Sequence, residues 1–262
     1  EFKRWGILRM DVDNLGSLFK EGYGAQVGIA RSAGLSFALR LFFEGWLPQL
    51  ANGEKGVNIT WAEADLRDHL YLQYSGGDDI FIVGAWDVLP EFARRIRESL
   101  RDFTAHNPHI TLSGGIDLFH AKFPLYQAAQ RAGEAEDAAK SYEHPDGKEK
   151  DAIAFLGQVM SWHTFDEVNQ RAYQLADLIK SKDLSHAALQ SVQSLNAQLE
   201  ETERQDALER LKENTRSARA KKKSMRGSWT WMAAYQLTRM APSEKAQNEN
   251  PNKREVATLL TE

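Results

Sequence analysis

Four consecutive residues, Gly76–Asp79 (Gly-Gly-Asp-Asp), constrain the fold of this chain more than any other segment. Leu70, Leu72 and Tyr74 alternate with other residues before this tetrad and the apolar run 80–83 follows it, which predicts a strand-turn-strand hairpin. Adjacent carboxylates repel one another, and glycines lose much backbone entropy on folding. Such a tetrad also suits an ordinary surface turn. Because of these two costs, however, we expect a positive ion to bind at the Gly76–Asp79 turn.

The end of the first predicted strand supplies a second group of acids. Residues 5–12 form a short apolar run that predicts a buried strand, and Asp11 and Asp13 lie at its end. If this strand pairs beside the hairpin, both acids come within reach of the Gly76–Asp79 turn. Oxygen ligands suit Mg²⁺ or Mn²⁺, and two such ions can activate a ribose hydroxyl and stabilise leaving pyrophosphate. The two segments together favour a metal-dependent nucleotide site over a surface turn.

The order of predicted elements gives the fold class. A strand, a long helix over 25–47 that Pro48 stops, the hairpin, a helix and a strand follow one another, which predicts an α+β, ferredoxin-like sandwich with helices on one sheet face. A small-residue helix from Leu125 and a last strand over 152–156 complete it. Beyond about residue 160 only helical patterns remain. We therefore predict an α+β domain over 1–158 and an all-α helical bundle domain over 159–262.

Composition excludes several classes of protein. The 262 residues include no cysteine, so disulfides and thiolate zinc sites are excluded, and a reducing cytosol is expected. A formal net charge of −4 gives no overall basic field, and the basic run over 216–226 is either a solvated face or a local phosphate contact. No apolar run of about 18 residues predicts a membrane span. A start without methionine suggests a piece of a larger protein.

Three segments of the chain bear a resemblance to a known family. Residues 10–16 (Met-Asp-Val-Asp-Asn-Leu-Gly), residues 74–84 around the tetrad, and Phe123–Tyr126 (Phe-Pro-Leu-Tyr) resemble the second palm domain in the large subunit of type III-A CRISPR effector complexes. The stretch 161–168 resembles the helical end domain of that subunit. The resemblance covers nearly the whole chain, and it implies a GGDEF-like cyclase palm over 1–158.

The activity that this resemblance implies is the synthesis of cyclic oligoadenylate second messengers from ATP, with Mg²⁺ or Mn²⁺. By motif matching, Asp11, Asp78 and Asp79 are the catalytic acids and metal ligands, and the Val12 carbonyl is a further ligand. A family member also binds the other subunits of its ribonucleoprotein complex, and through them crRNA and target RNA. It is expected in a prokaryotic cytoplasm, with no membrane partner.

The same resemblance assigns nucleotide binding to backbone groups and to one lysine. Six residues are matched to it: Asn14, Leu15, Gly16, Gly76, Gly77 and Lys140. The first three offer N–H groups to a triphosphate at a helix start, and Lys140 contacts phosphate. His144 replaces a basic residue of related cyclases, and Lys148 or Lys150 is a candidate substitute.

Alternative functions remain open at this point. The full-length subunit also has a His-Asp nuclease domain and a first palm, which are not visible in this chain, so single-stranded DNA cleavage is not assigned to it. Half of a composite site is expected here, and a homodimer is a possible way to complete it. A diguanylate-cyclase-like enzyme and a catalytically silent docking domain are the two other readings.

Overall fold

The computed structural model describes residues 4–21, 28–52 and 69–184, with a few isolated residues between 187 and 205. Six strands form one sheet: β1 Arg4–Val12, β2 Leu70–Gly76, β3 Asp79–Ala85, β4 Leu112–His120, β5 Ala152–Phe155 and β6 Gln158–Ser161. The helices are α1 Leu15–Glu21, α2 Ile29–Arg40, α3 Leu47–Ala51, α4 Leu89–Phe103, α5 Leu125–Lys140 and α6 Trp162–Lys180, and a π-helical turn, Leu41–Trp46, joins α2 to α3.

The sheet has the strand order β2-β3-β1-β4-β5-β6. Strand β1 is antiparallel to both β3 and β4, while β5 is parallel to β4 and β6 closes a hairpin on β5. The first four strands therefore have the predicted ferredoxin-like order. Sequence analysis missed β6. Its turn places Leu156 at φ 51° and Gly157 at φ 77°, and a leucine in that region is not a recognisable turn signal.

Helices cover both faces of the sheet, so the prediction of helices on one face is wrong. Side chains of a strand point alternately to its two faces. Leu8 and Met10 of β1 are buried in a cluster with Phe92 of α4, whereas Ile7 belongs to a second cluster with Ala128 of α5. Helix α5 thus lies on the face opposite to α4.

Helix α5 approaches the sheet closely because β4 carries glycine at the crossing. A Cβ atom built on Gly115 would lie 2.4 Å from the backbone nitrogen of Glu136 and 2.6 Å from the carbonyl carbon of Ala135. Backbone cannot yield as a flexible side chain does. Gly115, one of the two glycines that interrupt the predicted strand pattern, therefore sets the distance between α5 and the sheet.

Pro48 does not stop the first long helix, contrary to the sequence prediction. The Leu47 N–H donates to the carbonyl of Phe42, five residues earlier. In this π register residue 48 would donate to the carbonyl of Phe43, but proline has no N–H. The Ser75 hydroxyl donates to that carbonyl instead, at 2.6 Å. The proline is accommodated, and the helix is joined to the strand that leads into the tetrad.

The chain divides into two compact units, 1–170 and 171–262. The predicted boundary near 158 and the helical end domain stay predictions, since most of 185–262 lies outside the described residues. The same applies to the basic run over 216–226. In the described part of the chain, no helix is both long enough and apolar enough to cross a membrane.

We predict that Gly115→Ala destabilises the protein, because a methyl group there overlaps backbone atoms of α5. Overpacking of this kind costs about 1–3 kcal/mol. Gly34→Ala is the matched control: Gly34 lies within α2 with no atom within 4 Å of the added Cβ, so this change should stabilise by about 0.5–1 kcal/mol. Urea unfolding of both variants measures this. Equal effects at both positions would contradict the close approach of α5.

Candidate functional site

Strand β1 brings Asp11 beside the tetrad, as predicted. Asp11 lies directly opposite Asp79 of β3 on one side and Ser113 of β4 on the other. Residues directly opposite in antiparallel strands have their side chains on the same face. The Val12 N–H donates to the Asp78 carbonyl at 3.3 Å, which fixes the end of β1 against the turn.

The β2–β3 connection is a two-residue turn formed by Gly77 and Asp78, with Gly76 paired to Asp79. Gly77 has φ +68°, a conformation that glycine adopts at little cost. A Cβ atom built on Gly77 would have no atom within 4 Å. The glycine therefore leaves open space beside the acids, into which a ligand can approach the backbone.

Lys140, the last residue of α5, joins the acid group. Its Nζ contacts Asp11 Oδ2 and lies 2.8 Å from Glu136 Oε1. Partial burial favours the neutral amine, but the hydrogen bonds to Asp11 and Glu136 outweigh it and raise the pKa of Lys140. The site thus contains a permanent ammonium group in contact with a predicted metal ligand.

Sequence analysis missed two members of this group, Arg9 and Glu136. Glu136 is only 4% exposed; its Oε2 atom lies 3.1 Å from Arg9 Nε in an ion pair, and its Oε1 atom lies 2.8 Å from Lys140 Nζ. Arg9 Nη2 in turn lies 3.7 Å from Asp79 Oδ2. A cation inside the apolar run of β1, and a glutamate one helical turn before Lys140, are the signals in the sequence that could have indicated them.

We call these six residues the acid cluster: Arg9, Asp11, Asp78, Asp79, Glu136 and Lys140. Burial raises the pKa of Asp78, and the charge and the contacting carboxyl of Asp11 raise it further. Burial also raises the pKa of Asp79, although Arg9 opposes this. Four carboxylates share two cations, so the fully ionised cluster carries a formal charge of −2 and attracts a further cation.

Asp13 does not belong to the acid cluster, contrary to the prediction that it would reach the tetrad. The strand ends at Val12, and the carboxylate of Asp13 turns inward to accept the Thr111 hydroxyl at 2.8 Å and the Asp151 N–H at 3.1 Å. Burial raises its pKa, while these hydrogen bonds oppose the shift. Asp13 therefore fastens the end of β1 to the segments that begin β4 and β5.

The residues matched to nucleotide binding lie next to the acid cluster in sequence and fold. Leu15 and Gly16 begin α1, and Asn14 precedes them with φ 55°. The Asn14 Oδ1 atom accepts from Lys150 Nζ at 2.6 Å. Lys148 instead pairs with Asp146 at 3.1 Å. Of the two substitute lysines, Lys150 is thus the one placed beside the start of α1, and all these nucleotide-binding roles stay predictions.

The described residues contain no group of three or more histidine, aspartate or glutamate side chains arranged to hold a metal ion. Asp79 Oδ2 lies 3.7 Å from Arg9 Nη2, while its buried Oδ1 atom has no hydrogen-bond partner among the described residues. Burial, the charge of Asp11 and a hydrogen bond with the Asp11 carboxyl raise the pKa of Asp78. Two mutually repelling carboxyls, with a backbone carbonyl at Val12, are donors of the type that Mg²⁺ and Mn²⁺ prefer. The residues fit such an ion as a two-carboxylate site.

An antiparallel ferredoxin-like sheet with acids at the end of β1 and at the β2–β3 turn defines a palm domain, the fold class of nucleotide cyclases and polymerases. The chain belongs to the Cas10/Cmr2 second palm domain family, whose sequence model matches residues 4–154. The resemblance to the type III-A CRISPR large subunit is thereby confirmed.

Individual relatives support the same family. The chain is 39% identical over 174 residues to the CRISPR system single-strand-specific deoxyribonuclease Cas10/Csm1 (subtype III-A) of Methanocaldococcus jannaschii, across 64% of this chain and 22% of that protein. Csm1-Csm4 cassettes solved with one ATP and with cA4 match at TM-scores of 0.53 and 0.52, with 27% and 26% identity, over 63% and 64% of this chain. The chain spans about a quarter of those two solved chains, 23% and 24%.

We predict that Asp78→Asn stabilises the metal-free protein at neutral pH. The pKa of Asp78 is raised in the folded state, so the carboxyl is protonated in both the folded and the unfolded protein at pH values below the unfolded pKa. As pH rises through the folded pKa, the carboxyl ionises in the folded protein, and the free energy of unfolding falls. Removing the ionised group should gain about 0.5 kcal/mol after solvent screening. The gain should shrink as pH falls towards 4. Thermal unfolding from pH 4 to 8 in a chelator measures it.

Asp146→Asn is the control for this experiment. Asp146 is exposed, and its contacts with Lys148 lower its pKa. The sign of the effect is therefore opposite, and this variant should gain no stability at neutral pH. If the stability gain of Asp78→Asn did not depend on pH, the ionised carboxylate of Asp78 would not be repelled by its neighbours in the folded protein.

Proposed function

We propose that this chain is the nucleotide-binding half of a metal-dependent nucleotidyltransferase that makes cyclic oligoadenylates from ATP. The observation that carries the proposal is the position of Asp11 directly opposite Asp79, with the Val12 N–H bonded to the Asp78 carbonyl, beside an open glycine turn and with the Lys140 ammonium on Asp11. Neither a surface turn nor a docking face needs adjacent carboxyls from two strands.

Each residue of the acid cluster has a separate task in this proposal. Asp11, Asp78 and the Val12 carbonyl hold Mg²⁺ or Mn²⁺, which supplies the charge that neutralises the phosphates when it is bound. Asp79, paired with Arg9, adds negative charge at the same edge. Lys140 binds phosphate oxygen, and Glu136, which lies 2.8 Å from Nζ, orients the ammonium group of Lys140.

The backbone beside the acid cluster completes the nucleotide site in this proposal. Gly76 and Gly77 let the triphosphate approach the turn, and the amide groups of Asn14, Leu15 and Gly16 donate to its oxygens. Related Csm1-Csm4 cassettes bound to ATP and to cA4 support ATP as the substrate and a cyclic adenylate as the product. Other complex subunits, with crRNA and target RNA bound to them, are the partners we propose for this chain in a prokaryotic cytoplasm.

We predict that Asp78→Ala combined with Asp79→Ala weakens ATP binding in the presence of Mn²⁺ by about tenfold or more, which corresponds to about 1.4 kcal/mol. Loss of the carboxylates removes ligands that would hold the metal ion, whose charge would offset that of the triphosphate. Calorimetry with ATP and Mn²⁺ on the folded double variant measures the affinity.

The matched control removes two acids from the other side of the sheet. Glu98 and Asp102 lie on α4, with roughly half or more of each side chain exposed. Changing both to alanine alters the net charge equally and should leave ATP affinity unchanged. The metal site would be rejected if the Asp78 and Asp79 variant bound ATP as tightly as the control.

We predict slow turnover by the isolated chain and an increase of about 100-fold or more in the RNA-activated complex. In-line attack requires a second nucleotide whose 3′-hydroxyl lies about 3–3.5 Å from the first α-phosphorus. The sequence has one Gly-Gly-Asp-Asp tetrad to hold one nucleotide. Chromatography of cyclic and linear products from labelled ATP, with GTP in parallel, measures this.

Equal rates for the chain alone and for the complex would mean that the site is complete within this chain or within a homodimer. Preferential use of GTP would favour the diguanylate-cyclase alternative. Neither outcome is expected, because a single palm holds a single nucleotide and the solved relatives carry adenine nucleotides.

A further inference from the structure

Lys140 and the proposed metal ion require the same carboxylate. The ammonium of Lys140 contacts Asp11 Oδ2, and Asp11, directly opposite Asp79, is also a proposed metal ligand. We propose that Lys140 and a divalent cation compete for Asp11, so that the metal binds well only when a nucleotide triphosphate offers Lys140 another partner. This inference rests on the proposed function, because it concerns the order in which the same site is filled.

The competition follows from charge and distance. An ammonium and a divalent cation at one carboxylate oxygen repel each other strongly, since like charges a few ångströms apart in a partly buried site are poorly screened. The side chains of Asp11 and Lys140 are 21% and 26% exposed, so solvent screens this pair only in part. The entering metal must therefore displace the ammonium from Asp11.

Glu136 keeps the displaced ammonium within the site. It lies four residues before Lys140 on α5, is almost fully buried, and holds Nζ at 2.8 Å independently of Asp11. At Gly115 the α5 backbone lies so close to β4 that even a Cβ atom would overlap it. The ammonium of Lys140 can leave Asp11 by rotation of its side chain, without movement of the helix. After release from Asp11 the ammonium remains tied to Glu136, where it can turn towards phosphate oxygen.

This arrangement couples metal and nucleotide binding. A triphosphate that attracts Lys140 leaves Asp11 available to the metal, and by linkage the metal raises nucleotide affinity by the same factor. The nucleotide-free site is thereby protected against free divalent cations. Lys140 acts as a positioning residue for metal entry in addition to its proposed contact with phosphate.

The test is Mn²⁺ binding to the whole nucleotide-free chain, measured by the electron paramagnetic resonance signal of free Mn²⁺. We expect Lys140→Gln to bind Mn²⁺ about five- to tenfold more tightly than the unchanged protein. Arg9→Gln is the matched control, because it removes the same charge from the acid cluster but contacts Asp79 and Glu136 rather than Asp11. Its gain should be clearly smaller. Circular dichroism confirms that both variants are folded.

Asp11→Asn separates this inference from the proposed function. The gain from Lys140→Gln should vanish when Asp11→Asn is also present. If Lys140→Gln gives no gain, or if Arg9→Gln gives the same gain, direct competition is wrong, while Mn²⁺ binding that depends on Asp11 still supports the proposed metal site. If Mn²⁺ binding to the chain does not depend on Asp11, the proposed site and the competition are both wrong.

Discussion

The crowding of carboxylates at the end of β1 is the constraint on which the arrangement of this domain depends. Asp11, Asp78 and Asp79 are brought together by backbone pairing that also builds the sheet, so they cannot move apart without loss of strand hydrogen bonds. Two cations offset part of their repulsion. Lys140 and Arg9 both meet the buried Glu136. An alternating chain of charges thus connects the tetrad to α5 and makes the position of that helix part of the site.

The rest of the structure holds this edge in place from two directions. On the face of the sheet that α5 covers, Gly115 lets the helix backbone come close enough for Glu136 and Lys140 to reach β1. On the opposite face, the π-helical turn before Pro48 leaves a carbonyl that Ser75 binds, directly before the tetrad. Asp13 fastens the remaining end of β1. The hydrogen bonds among these contacts resist disruption because an unpaired polar group in a partly buried site costs free energy.

Much of the fold could be predicted because strand and hairpin patterns are local. The alternation before the Gly76–Asp79 tetrad and the apolar run after it predicted two paired strands and their turn, which are observed as β2 and β3. The apolar run over 5–12 predicted the strand β1, which is also observed. The sequence predictions were wrong where contacts between residues far apart in the chain determine the structure. Pro48 was expected to end a helix, but a hydroxyl from another strand replaces its missing donor. Asp13 has the same residue type as Asp11, yet its neighbours across the sheet, rather than its own segment, set its direction.

The amino-acid sequence by itself determined the family, the ferredoxin-like order of the first four strands and the meeting of Asp11 with the Gly76–Asp79 turn, because motifs and residue spacing along paired strands are local. Only the tertiary structure decided how the acids are balanced. Arg9 and Glu136 are far apart in the chain; their local patterns mark each as unusual, but not as partners of one another. The family resemblance assigned Lys140 to phosphate binding, but in the structure its ammonium group also contacts the carboxylate of Asp11. Electrostatic partners are chosen by distance in space and by burial, and both exist only after the sheet and α5 have packed together.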